Sequence, residues 1–169
     1  MTHHGDGIIH MDRDEAFMAR AIQLALENVR SGRGGPFGAV VVKDGKVVAE
    51  AANQVTATND PTAHAEVLAI RQACQKLGLF ELKGCALYTS CEPCPMCLGA
   101  IYWARIDKVY FGTRLSDTSK IGFDDEFRYI DFRLPWEERK AIKCYPDFER
   151  EDALKACEAW QNKKDRHPY

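Results

Sequence analysis

No apolar run in this sequence resembles a membrane span or a signal peptide. Charge of one sign is equally scarce. A net charge of -2 gives no field to hold a polyanion, and the one dense basic cluster is the short "NKKDR" near the C-terminus, so no nucleic-acid partner is expected. Internal repeats and low-complexity tracts are missing too, and 46% apolar with 28% charged residues is an ordinary globular balance. Cysteine, by contrast, occurs seven times, an odd count in a chain too large to need a disulfide scaffold. A reducing cytoplasm is the expected setting.

A chain of 169 residues supports one domain with a hydrophobic core. The opening "MTHHGDGIIH" carries His3, His4 and His10 without periodicity and reads as a flexible leader rather than a set of ligands. We set the leader at 1–12 and a single domain at 13–169. From Arg13 to Arg30 the residues Phe17, Ala21, Leu24, Ala25 and Val29 fall at helical spacing. Two β-branched runs around Asp44-Gly45, in "AVVVKDGKVVAEA", predict a hairpin. "TAHAEVLAIRQACQKLG" predicts a helix capped by Thr62 and stopped by Gly78. "CALYTS" and "KVYFG" predict strands on either side of the helical "CLGAIYWAR", and "AIKCY" a fifth strand before a last helix over about 148–164. The pattern predicts a three-layer α/β/α domain around a mixed five-stranded sheet, with ligands gathering at strand C-terminal ends.

The chemistry concentrates where a strand becomes a helix. "CEPCPMC", Cys91 to Cys97, frames two overlapping C-x-x-C pairs. Four protein ligands make a zinc ion inert scaffolding, whereas three leave a place for a water whose acidity the metal raises. His64, Cys94 and Cys97 supply one imidazole and two thiolates. Cys94 and Cys97, three apart at a helix start, project to one face, where unsatisfied N–H groups and the helix dipole favour thiolates. Pro95 fits a first turn because its missing N–H had no partner there. Cys91 precedes this turn; a closed site with Cys91 as fourth ligand is the competing arrangement. Glu66 is two residues from His64, placed to move protons of a water beside the metal. Thiolates with imidazole favour zinc over harder ions. Cys74, Cys85, Cys144 and Cys157 read as small hydrophobes.

"HAE" followed by "PCPMC" matches the H-x-E…P-C-x-x-C signature of zinc nucleobase deaminases at every defined position. With "GGPFGAV", "NDPTAHAE", "YWAR" and "IGFDD", the sequence resembles the cytidine deaminase-like superfamily, and within it the guanine-specific bacterial branch. The resemblance covers most of the chain from about Asp14. It implies one Zn2+ per subunit and hydrolytic deamination of guanine to xanthine and ammonia. Hydroxide held by the zinc would attack the ring carbon bearing the amine, with Glu66 as proton shuttle. It further implies that Asp125 reads the guanine N–H edge, that Asn53 hydrogen-bonds the purine, and that Phe37 and Trp103 pack around it. Ala65 would contribute through its backbone, and Tyr169 would close the partner's site in a homodimer that exchanges about 146–169. The family ending places its tyrosine sooner after the paired lysines than this chain does. Guanosine, tRNA adenosine and cytosine deaminases share the zinc chemistry and remain rival readings, as does a nonenzymatic zinc module that binds nucleobases. Such a module has no need of Glu66 beside an open metal position.

Overall fold

Apolar side chains at helical spacing form α1 (Asp6–Arg30) in the computed structural model, which describes residues 6–169. Residues 1–5 of the expected leader lie outside the described residues. The Asp44-Gly45 turn takes positive φ at both positions, as a tight hairpin demands, and joins β1 (Gly38–Lys43) to β2 (Lys46–Ala52). A short α2 (Val55–Thr58) follows, then α3 (Ala65–Leu77), closed by Gly78 at φ 65°. Helix α4 (Pro95–Trp103) links β3 (Cys85–Cys91) to β4 (Lys108–Thr113), and α5 (Leu115–Ser119) comes after.

The sheet order is β2-β1-β3-β4, antiparallel at the first two pairings and parallel at the last. Alternation along β1 builds both faces. Ala39 and Val41 pack with Ala65, Ala69, Leu87 and Ile101 on the α3 and α4 side, while Val40 and Val42 pack with Ala21 and Tyr88 on the α1 side. Helices on both faces of a mixed sheet make three layers, and β1 and β3, buried on both sides, read as near-continuous apolar runs.

Two expectations fail here. The sheet has four strands among the described residues, not five. At the start of "AIKCY" the N–H groups of Ala141 and of Lys140 just before it donate to the Asp131 carboxylate at 3.2 and 2.6 Å, so the segment opens on a side chain and joins no ladder. Thr62 does not cap α3. Its N–H and hydroxyl both donate to Asp60 Oδ1, at 2.8 and 2.7 Å, and the N-cap falls on His64.

The single domain expected over 13–169 divides into two compact units, Met1–Phe123 and Asp124–Tyr169. The second holds α6 (Glu126–Phe132), a 3-10 turn at Trp136–Glu138 and α7 (Arg150–Asn162), a little shorter than the helix expected over about 148–164.

Gly38 marks the tightest packing of α1 on the sheet: a Cβ there would lie 2.3 Å from the Ala21 carbonyl oxygen and 2.8 Å from the Ala25 nitrogen. Both obstacles are backbone, so the helix itself must move. Gly38→Ala is expected to cost at least about 1–3 kcal/mol, read as a lower denaturation midpoint with little change in the denaturant slope.

Candidate active site

Two helix N-termini meet at the C-terminal end of β3. His64 is the N-cap of α3 and Cys94 the N-cap of α4; Pro95 follows at the first helical position and Cys97 lies in the first turn. Cys94 Sγ lies 3.6 Å and Cys97 Sγ 3.5 Å from His64 Nδ1. All three ligand atoms fall within 4.8 Å of one another, the group able to hold a metal among the described residues. Tetrahedral zinc with bonds of about 2.3 Å to sulfur and 2.0–2.1 Å to nitrogen sets N···S separations of roughly 3.6 Å. The donor set and its spacing therefore fit zinc.

Electrostatics point the same way. The Cys97 thiol, then His64 and the Cys97 backbone N–H, hold Cys94 down at about 4. Cys97 is held up, first by the Cys94 thiolate and then by burial. Two sulfurs that share one proton release it when a dication is bound, since only thiolates ligate.

Glu66, in the first turn of α3, is 5% exposed, and burial pushes its carboxyl up. Its Oε1 accepts the Thr89 hydroxyl at 3.1 Å, and its Oε2 faces the Cys97 thiol at 3.4 Å. A buried carboxyl beside a three-ligand group that leaves one metal position open is suited to both acid and base work. Cys91 stands apart from the ligand group. It closes β3, buried, and burial lowers the acidity of its thiol. It belongs to the strand, where a turn was expected.

The other expected site residues fall into two sets. The Asn53 N–H donates to the Phe37 carbonyl at 3.0 Å, and the neighbouring Gln54 N–H donates to the Ala63 carbonyl at 2.9 Å, one residue before His64. Phe37 and Asn53 are thereby tied to the start of α3. Asn53 is buried, with Oδ1 accepting the Val55 N–H at 3.2 Å, and Phe37 meets Phe123 edge-on at 5.0 Å. Ala65 is fully buried, and Trp103 is 66% exposed at the end of α4. Asp125 and Tyr169 lie in the second unit, Asp125 as N-cap of α6 and ion-paired to Arg128. Asp131, the buried acidic residue of α6, spends its carboxylate on the N–H groups of Lys140 and Ala141.

Sequence reasoning missed Asn28 and Thr89. Asn28 Nδ2 donates to the carbonyls of Gly35 and Asn53 at 2.9 and 2.8 Å, clamping the two segments that carry Phe37 and Asn53. Its signal was a polar residue on the inner side of an amphipathic helix; that of Thr89, a hydroxyl in a strand buried on both faces.

A three-ligand thiolate–imidazole centre with a buried glutamate, set at the end of a strand in a three-layer α/β fold, defines a zinc-dependent deaminase. Residues 11–113 match the cytidine and deoxycytidylate deaminase zinc-binding region, and the chain belongs to that family. Within it, the chain is a homologue of guanine deaminase. It is 52% identical to the Bacillus subtilis enzyme over 155 residues, which is 92% of this chain and 98% of the relative. The X-ray structure of guanine deaminase from Bacillus subtilis superposes with a TM-score of 0.87 at 53% identity, over 92% of this chain and 98% of that one. A tRNA-specific adenosine deaminase from Aquifex aeolicus is 42% identical, over 60% of this chain and 70% of its own.

Replacing Cys94 or Cys97 by serine is expected to release zinc, and Cys91→Ser to leave about one zinc per chain, read by elemental analysis of the purified proteins. Retention by both single ligand variants would remove the assignment.

Proposed function

We propose that this protein deaminates guanine to xanthine and ammonia, with Glu66 as the proton carrier. The observation that carries the reading is a buried carboxyl oxygen turned toward a metal group of three ligands, which leaves one tetrahedral position for a water. His64, Cys94 and Cys97 would hold the zinc, which when bound would supply Lewis acidity to lower the pKa of a water at the open position. Glu66 takes a proton from the attacking water and passes it to the ring nitrogen beside the amine-bearing carbon, then takes the second proton from the newly added hydroxyl and gives it to the amine as the carbon–nitrogen bond breaks and ammonia leaves. Burial pushes the Glu66 carboxyl up from the usual carboxylate range, which favours its holding a proton between the two transfers.

Guanine as substrate is supported by the extent of the likeness. A match over 155 of 169 residues necessarily enters the unit from Asp124 onward, whereas the likeness to the tRNA deaminase is confined to 60% of the chain. In this reading Asp125 accepts the guanine N–H groups, Asn53 bonds the purine edge, Phe37 and Trp103 pack on the ring, and the Ala65 backbone adds a polar contact. A tRNA substrate would call for a phosphate-holding surface that a net charge of -2 does not provide.

We further infer a homodimer that exchanges the C-terminal segment, about 146–169, so that Tyr169 closes the partner's site. Helix α7 supports this. Ala153, Cys157 and Trp160 repeat at helical spacing along one face, yet no residue of the helix is buried. Such a face calls for a cover. The cytoplasm is the proposed setting: all seven cysteines are free thiols, and no described helix is long and apolar enough to cross a membrane.

Ammonia release should be fastest from guanine when guanine, guanosine, adenine, cytosine and ammeline are compared with and without a chelator. Turnover of adenine or cytosine without guanine would overturn the substrate while sparing the chemistry. Glu66→Gln should keep its zinc and lose at least about a hundredfold in kcat. Deleting the last few residues should lower turnover at full zinc content; an undiminished rate would dismiss Tyr169.

A further inference from the structure

Thr89 is fully buried in the middle of the sheet, paired across β3 with Ala39 on one side and Phe111 on the other. A strand buried on both faces has no ordinary use for a hydroxyl, because burying one without a partner costs roughly 1–3 kcal/mol, and valine fills nearly the same volume. Here the hydroxyl lies 3.1 Å from Glu66 Oε1 and 3.2 Å from the Cys91 carbonyl oxygen. It has one proton to give, and of the two acceptors Glu66 Oε1 is the nearer.

We propose that Thr89 is the positioning residue of Glu66, pinning Oε1 against β3 so that Oε2 is the oxygen presented to the reacting atoms. The two carboxylate oxygens are chemically equivalent until something distinguishes them, and the last torsion of a glutamate is broad and nearly two-fold. The surroundings are unequal: Oε1 meets the strand hydroxyl, and Oε2 meets the Cys97 thiol at 3.4 Å on the metal side. Since β3 also ends at Cys91 and leads into the ligand turn, one strand sets both the metal ligands and the carboxylate that works beside them. Glu66 carries the protons and Thr89 touches none of the reacting atoms. Misplacing a catalytic group by about 1 Å costs on the order of a hundredfold in rate, so a single hydroxyl can matter greatly from this distance.

The inference rests on Glu66 as proton carrier, and the two can fail separately. Thr89→Val and Thr89→Ser are to be compared for zinc content, Tm, kcat and KM on guanine, each also in a Glu66→Gln background. A hydroxyl that only fills the core makes valine the better replacement, since it keeps the branched shape. A positioning hydroxyl makes serine the better one. We expect Thr89→Val to keep its zinc and its KM within about twofold while kcat falls about ten- to a hundredfold, the loss of one hydrogen bond to a charged group. Thr89→Ser should return kcat to within about threefold of the parent, and neither change should lower the residual rate of Glu66→Gln further, as expected for two residues acting as one unit. Parental kcat in Thr89→Val, equal damage from serine and valine, or the same fractional loss without the Glu66 carboxylate would each overturn the proposal. Should valine disturb the fold, Thr89→Ala against Thr89→Ser carries the same comparison. Full turnover in Glu66→Gln itself would instead sink the proton-carrier reading.

Discussion

The convergence of two helix N-termini on one point is the constraint from which the rest follows. Each start leaves backbone N–H groups without intrahelical partners and presents the positive end of a dipole. A single such end favours one anion weakly. Two of them, capped by His64 and Cys94 with Cys97 in the turn behind, create a place where thiolates are tolerated away from bulk water. Without a cation the sulfurs compete for one proton, Cys94 held low and Cys97 high. Metal binding needs both sulfurs as thiolates, so it releases protons and is linked to the fold that brings the sulfurs together.

Holding that convergence requires stiff elements brought close together. Strand β3 is bonded on both sides, to β1 and β4, and its end is tied down further. The Glu92 N–H donates to the Thr113 carbonyl at 2.8 Å and the Glu92 carboxylate accepts the Leu115 N–H at 3.1 Å, which fixes the turn before Cys94. Small residues set the layer spacing. Ala65, Ala69 and Ala73 let α3 lie flat on the sheet, and Gly38 does the same for α1. At Gly34 a Cβ would lie 2.4 Å from the Asn53 carbonyl oxygen, so glycine there permits the Asn28 clamp. The alanine-rich core is therefore a device for bringing polar groups within reach, at some sacrifice of apolar area.

Much of this was readable in the sequence because the signals were local. The Asp44-Gly45 hairpin, the apolar strands and the strand-to-helix position of "CEPCPMC" each follow from neighbours a few residues apart. The failures were cases where a side chain outside the expected element competed for its polar groups. Thr62 had the chemistry of a cap, but Asp60 took its donors and left the position to His64. "AIKCY" had the composition of a strand, but the Asp131 carboxylate engages its backbone and no ladder forms. Thr89 and Asn28 escaped notice for a related reason: their partners, Glu66 and Asn53, lie 23 and 25 residues away. No periodicity or turn rule encodes such pairs.

Chemistry and discrimination are divided along the chain. The stretch matched by the family model, residues 11–113, contains His64, Cys94, Cys97 and Glu66, and also Phe37 and Asn53. A relative acting on tRNA adenosine and one acting on guanine are both similar to this chain, at 42% and 52% identity, so the shared machinery of metal and carboxylate cannot by itself choose between a base in a polynucleotide and a free one. Both need the same thing at the reacting carbon: a nucleophile, a proton carrier and no competing water. They differ at the far edge of the base, where a polynucleotide must be admitted and a free purine can be enclosed. The guanine deaminase match goes beyond the family stretch and enters the second unit, which holds Asp125. On the proposed reading Asp125 would supply that discrimination, since a carboxylate that accepts two N–H groups disfavours a base that lacks them. Selectivity would then lie outside the metal centre, and the zinc chemistry could stay the same while the substrate changes.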